Sequence, residues 1–143
     1  VSELRLQPRV LGVDLGEVRV GVAISDELGF LAHPLETIPR RDADARIAKL
    51  AKERSVAAVV VGVPRHMSGS SGESAQDALA FAEKLRSLVG CDVVTVDERL
   101  STVAAHRALR SSGRKTRDTR GVVDQVAAQM ILQTYLDQQQ QRG

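Results

Sequence analysis

The chain is almost without aromatic residues: two Phe, one Tyr and no Trp in 143 positions. That removes the side chains on which single-stranded bases stack, so any nucleic-acid partner has to be held through phosphates and duplex shape. A single cysteine, Cys91, excludes an internal disulfide framework and a Cys-based zinc site. No apolar run approaches the ~20 residues that span a bilayer. The opening Val-Ser-Glu-Leu-Arg lacks the charged-then-apolar layout of a signal peptide. The expectation is a cytoplasmic protein with no membrane partner. A net charge of +2 is too small to mark a polyanion-binding protein, so the placement of the charges has to carry that argument.

What is present supports one folded domain over residues 1–143, since hydrophobic residues make up 43% of the chain and neither a repeat nor a linker interrupts it. From Val10 to Leu15, Leu11, Val13 and Leu15 alternate with Val10, Gly12 and Asp14, the pattern of a strand buried on both faces. Arg19–Ser25 forms a second strand, antiparallel to the first across Gly16-Glu17-Val18. Phe30–Ile38 is a third, and Pro34 within it marks a sheet edge. Asp42 or Asp44 caps a helix that buries Ala43, Ile47, Leu50 and Ala51 and ends near Arg54. The β-branched run Val56–Val61 reads as a buried parallel strand. A Gly- and Ser-rich loop follows, from Gly62 to Gly72.

The spacing of Ala78, Phe81, Ala82, Leu85 and Val89 predicts a helix over Glu73–Val89, and Asp92–Val96 a fifth strand. Ser101 or Thr102 caps a short helix to about Arg110. Ser111–Gly121 is a mobile basic loop, Val122–Gln138 a final helix, and residues 138–143 a frayed tail. The order β-β-β-α-β-α-β-α-α specifies an α/β fold: a five-stranded mixed sheet, a three-strand antiparallel meander plus two parallel strands, flanked by helices.

Three carboxylates stand at element ends. Asp14 closes an otherwise apolar strand, where desolvating an unpaired carboxylate costs several kcal/mol. It either faces a cation or metal, or caps the hairpin turn. Glu98 follows the fifth strand; its alternative role is a surface ion pair with Arg99. Asp124 shares a helix face with Ala127, Ala128, Ile131 and Tyr135, which turns it toward the sheet. Its alternative role is a first-turn carboxylate favoured by the helix dipole.

An oxygen-only donor set of this kind suits Mg²⁺ or Mn²⁺, and paired divalent ions serve in-line attack of water on a phosphodiester. On this reading, neutralising Asp124 relieves like-charge repulsion in the metal-free protein. Six basic residues between Arg107 and Arg120 stand against one acid, Asp118. They form either a solvated charge run or a phosphate clamp beside the acidic site. Arg114, Lys115 and Arg117 of this run, with Arg19, Arg65 and Arg99, are the candidate nucleic-acid-binding residues. His33 and His106 read as structural and surface residues; His66, in the Gly/Ser loop, is a candidate substrate contact.

These pieces resemble the YqgF family, also called RuvX: nucleases of pre-16S ribosomal RNA, earlier described as Holliday-junction resolvases. The similarity is carried by Val13-Asp-Leu-Gly16 with Arg19-Val-Gly-Val-Ala23, and by Val60-Val-Gly-Val-Pro64 with Met67 and Gly69. It continues through Asp97-Glu-Arg-Leu-Ser-Thr102 and Val123-Asp124 to Ile131-Leu-Gln-Thr-Tyr-Leu136. The chain departs from the family at Glu17 and Val18, where Thr or Ser and then Lys are usual, and at His66 and Ser68 in the Gly/Ser loop.

The resemblance implies an RNase H-like fold with a metal site at Asp14, Glu98 and Asp124. It also implies a metal-dependent endonuclease acting on structured RNA, in 5′-end maturation of pre-16S rRNA during ribosome biogenesis. Two other functions stand beside it: a resolvase of four-way DNA junctions, and a non-catalytic nucleic-acid-binding regulator on the same fold. A monomer or a homodimer is compatible with these readings, a resolvase requiring the dimer.

Overall fold

A computed structural model describes residues 6–64, 72–100 and 117–142, with backbone alone for 117–122. The strands are β1 (Val10–Leu15), β2 (Arg19–Ser25), β3 (Ala32–Pro39), β4 (Ala58–Val63) and β5 (Asp92–Asp97). The helices are α1 (Ala43–Glu53), α2 (Gly72–Leu88) and α3 (Arg117–Arg142), with short 3₁₀ turns at Arg40–Asp42 and Glu98–Leu100. The strands form one sheet in the order β3-β2-β1-β4-β5. β1–β2 and β2–β3 are antiparallel, β1–β4 and β4–β5 parallel.

The two sheet faces bury different partners. On one, Leu11, Val13, Val20, Val22, Val59 and Val61 pack with Ile47 and Leu50 of α1 and Phe81, Ala82 and Leu85 of α2. On the other, Val10, Ala23, Ala58, Val60 and Val96 receive Ala127, Ala128, Ile131, Leu132 and Leu136 of α3. The small residues on this second face let α3 lie close: a Cβ placed on Gly12 would come 2.6 Å from Cβ of Leu132. β3 is an edge strand, as Pro34 implies, and Pro34 pairs with Ala23 at a register shift after Val22.

A row of glutamines fastens α3 to β3. Gln125 Nε2 donates to Thr37 Oγ1 at 3.0 Å, and Gln129 Nε2 to the Ala32 carbonyl at 2.9 Å. Gln133 accepts from the Ala32 N–H at 2.9 Å and donates to the Phe30 carbonyl at 2.7 Å. Residues four apart share a helix face, so Gln129 and Gln133 meet main-chain groups that an edge strand would otherwise leave to water. The row continues in Gln140 Nε2, which donates to the Gly29 carbonyl at 3.2 Å. The segment expected to fray is therefore helical to Arg142.

Other boundaries shift for local reasons. β4 begins at Ala58 instead of Val56, because the end of α1 uses the preceding residues. Ser55 takes a left-handed φ of 51°, its N–H donates to the Lys52 carbonyl and the Val56 N–H to that of Ala51. This is a Schellman closure, and it commits the Val56 donor to the helix. β3 begins at Ala32 because Phe30 and Leu31 both donate to Oδ1 of Asp26 in the preceding turn.

Asp42 makes no side-chain cap bond, whereas Asp44, already inside α1, accepts from the first-turn Ala45 N–H at 2.8 Å and takes Lys84 Nζ at 2.6 Å. The 3₁₀ turn already leads the chain into α1, and the Ala43 N–H donates to Arg40. α3 starts at Arg117, inside the segment expected to be a loop; Gly121 lies within the helix, a cost of about 1 kcal/mol that burial of the downstream apolar face offsets. The expected helix over 101–110 and the loop residues 111–116 lie outside the described residues. Among those described, no helix is long and apolar enough to cross a membrane.

Candidate nuclease site

The three carboxylates are buried: Asp14 is 4% exposed, Glu98 4% and Asp124 8%. Their surroundings on the sheet are made by two glycines. Asp14 pairs with Gly21 across the β1–β2 ladder, and it follows Val13, the partner of Val61, so it lies beside Gly62 of β4. A Cβ on Gly21 would fall 2.0 Å from the main-chain oxygen of Asp124. A Cβ on Gly62 would fall 2.4 Å from Cδ1 of Ile131 and 3.1 Å from Oε2 of Glu98. The strands flanking Asp14 are thus bare on the α3 face. The backbone of Asp124 fills one gap, and Glu98 borders the other.

The geometry bears on the alternative role of each carboxylate. The hairpin turn is closed by main chain, Gly16 N–H to the Arg19 carbonyl at 3.0 Å, and Asp14 stands inside β1. Arg99 does not serve Glu98. It forks onto Asp97, with Nη2 to Oδ2 at 2.8 Å and Nε to Oδ1 at 3.2 Å. Asp124 lies about two turns inside α3, beyond the reach of the helix-end dipole. Burial pushes the Glu98 carboxyl up to about 7, and the neighbouring Asp97 charge adds to it.

Asp124 has a cation against it. Arg19 Nε donates to its Oδ2 at 2.8 Å, linking the start of β2 to α3. Among the described residues, no group of three or more His, Cys, Asp and Glu side chains is gathered closely enough to hold a metal ion. The three acids share a neighbourhood in this state, but they do not form a closed ligand cage. The donor chemistry nonetheless fits a hard divalent cation. All three donors are carboxylates, all are withdrawn from water, and a guanidinium stands in as the positive charge on one of them.

Of the candidate phosphate-binding residues, Arg19 and Arg99 are therefore placed on carboxylates. Arg65, Arg114 and Lys115, like His66, lie outside the described residues; Arg117 begins α3 with its side chain not described. One positioning residue was not singled out from sequence. Arg40 donates from Nη1 to the Gly16 carbonyl at 3.0 Å and pairs with Asp77 at 2.8 Å, its guanidinium 5.6 Å from the centre of the Phe81 ring. It holds the turn that follows Asp14. Nothing in its local sequence signals this, whereas a glycine inside a strand, such as Gly21, does signal close approach; Gly62, expected to open the loop, lies within β4.

A mixed sheet of this order with α3 across its second face is an RNase H-like domain. One solved structure it resembles is T. thermophilus RuvC in complex with a Holliday junction substrate. That structure is matched at a TM-score of 0.61 and 15% identity, over 93% of this chain and 97% of the other. The chain belongs to the RuvX family, whose model, described as Holliday junction resolvase, matches residues 8–138. It is 45% identical over 137 residues to a protein of Halalkalibacterium halodurans, covering 92% of this chain and 98% of that one. It is 51% identical over 130 residues to one of Leifsonia xyli, covering 89% and 84%. Both relatives carry the name pre-16S rRNA nuclease.

Proposed function

We propose that the protein is a divalent-metal-dependent endonuclease of structured RNA that acts in 5′-end maturation of pre-16S rRNA. One observation supports the reading: Asp14, Glu98 and Asp124 come from three distant parts of the chain, each is buried, and the Asp124 main chain and the Glu98 carboxylate border Gly21 and Gly62, the glycines that flank Asp14. Withdrawing three carboxylates from water carries a desolvation cost that their partners have to offset. In this reading Asp14, Glu98 and Asp124 hold Mg²⁺ or Mn²⁺. Such an ion, when bound, supplies an acidified water and neutralises charge on the leaving oxygen.

The protein's own residues do the rest. The sheet and α3 hold the carboxylates rigidly, Arg40 fixes the turn beside Asp14, and Arg19 with the basic stretch Arg114, Lys115 and Arg117 meets phosphates. The names of the 45% and 51% identical relatives favour RNA. The family description favours a second substrate, a four-way DNA junction.

The test is cleavage of an end-labelled pre-16S rRNA fragment beside a four-way DNA junction, each with Mn²⁺ and with EDTA. The proposal expects Mn²⁺-dependent cutting of the RNA. Cutting of the junction alone selects the second substrate. Undiminished cutting after exhaustive chelation overturns the metal reading, and binding without any cutting leaves the regulator.

A further inference from the structure

Arg19 and Asp124 form an ion pair of unequal depth. The Asp124 side chain is 11% exposed and that of Arg19 36%. Among the described residues, the Nε–Oδ2 contact is the one polar contact of the Arg19 side chain. It uses a single nitrogen and leaves both Nη groups available to other acceptors. Arg19 is also the first residue of β2, directly after the exposed Glu17 and Val18, so its long side chain is anchored at the mouth of the site. Arg99 differs: it grips Asp97, two residues away, through both Nε and Nη2 and joins no distant elements.

A divalent cation binds carboxylate oxygen at about 2.0–2.6 Å. Placed on Asp124, it would stand a few ångströms from the guanidinium in a poorly hydrated setting, where like charges repel strongly. The guanidinium is the partner with access to water, and a phosphate offers it a bidentate acceptor. We infer that Arg19 is the resident counter-ion of Asp124, displaced when a divalent cation takes that carboxylate and thereby released to bind a substrate phosphate. Metal loading and phosphate binding are then coupled, and by linkage each tightens the other. This rests on the metal-site reading of the preceding subsection.

Two measurements on the full chain test it. Calorimetric titration with Mn²⁺ alone compares wild type, Arg19→Gln, Arg19→Lys and Asp124→Asn, each confirmed folded by circular dichroism. Arg19→Gln is expected to bind Mn²⁺ about five- to tenfold more tightly, because the competing charge is gone. Arg19→Lys, which keeps the charge, stays near wild type, and Asp124→Asn loses affinity. Separately, the Arg19 Nε–Hε resonance of the wild-type protein is expected to shift toward a solvent-exposed position on titration with Mg²⁺, and to stay unmoved in Asp124→Asn. Unchanged or weaker Mn²⁺ binding by Arg19→Gln, with Asp124→Asn impaired, overturns the role of Arg19 and leaves the metal site standing. Equal Mn²⁺ binding by wild type and Asp124→Asn overturns both. A stationary Arg19 resonance on saturation with Mg²⁺ overturns the displacement even where no variant folds.

Discussion

Asp14 and Gly21 are cross-strand partners, and the side chain Gly21 lacks is the space occupied by the main chain of Asp124. One absent methyl group therefore sets the distance between the strand that carries one acid and the helix that carries another. Gly21→Ala would drive a Cβ to 2.0 Å from the Asp124 oxygen. Backbone has to move to relieve such a clash, so a loss of about 1–3 kcal/mol or more is expected. Urea unfolding checks it. Stability within about 0.5 kcal/mol of wild type would show that α3 slides without cost.

Asp124→Asn reverses the sign expected from charge repulsion alone. A cluster of unpaired acids would gain stability on losing one charge. Here the substitution breaks the ion pair with Arg19 and leaves the guanidinium without its carboxylate. The metal-free protein should lose on the order of 1 kcal/mol, a figure reduced for the one-third exposure of Arg19. Thermal melts in EDTA decide the sign, and cleavage in Mn²⁺ is expected to be lost. A variant that melts later than wild type would show that repulsion among the acids outweighs the pair.

The basic stretch before Asp124 is expected to act through phosphates. Replacing Arg114, Lys115 and Arg117 with Ala should lower the dependence of RNA affinity on salt by about two to three units of log–log slope. Filter binding across a range of potassium chloride concentrations reads this directly. An unchanged slope would assign the stretch to solvent.

Acid should loosen the face opposite the site. Glu36–Arg46 joins β3 to α1, Asp44–Lys84 joins α1 to α2, and Asp77–Arg40 joins α2 to the turn before α1. The hydrogen bond from Arg46 holds the Glu36 carboxyl below its ordinary range, and Lys84 and Arg40 do the same for Asp44 and Asp77. Each carboxylate has a lower pKa folded than unfolded. Its contribution is thus complete above the ordinary carboxylate range, and it is lost as pH falls through the lowered folded value. Melting temperature should fall on acidification below about pH 5, and Glu36→Gln should flatten that fall. An identical acid slope in Glu36→Gln would remove this pair from the explanation.

The sequence by itself determined the sheet and the inward face of Asp124. Alternating Val, Leu and Ile specify strands, Pro34 identifies an edge, and the helical spacing of Asp124 with Ala127, Ala128 and Ile131 turns it inward. All of these follow from periods of two and 3.6 residues, which any stretch of chain carries within itself. Element ends were less legible, because they are decided by single hydrogen bonds. The Val56 donor goes to the Schellman closure of α1, and Gln140 carries α3 past its expected end by reaching the Gly29 carbonyl. Only the tertiary structure decided that Arg19 neutralises Asp124, 105 residues away, that Arg99 turns to Asp97, and that Gly21 and Gly62 shape the floor of the site. Charge and size are properties of a residue, but a partner is a property of two. Which two meet depends on how closely α3 lies across β2, β1 and β4, and that spacing exists only once the sheet has formed.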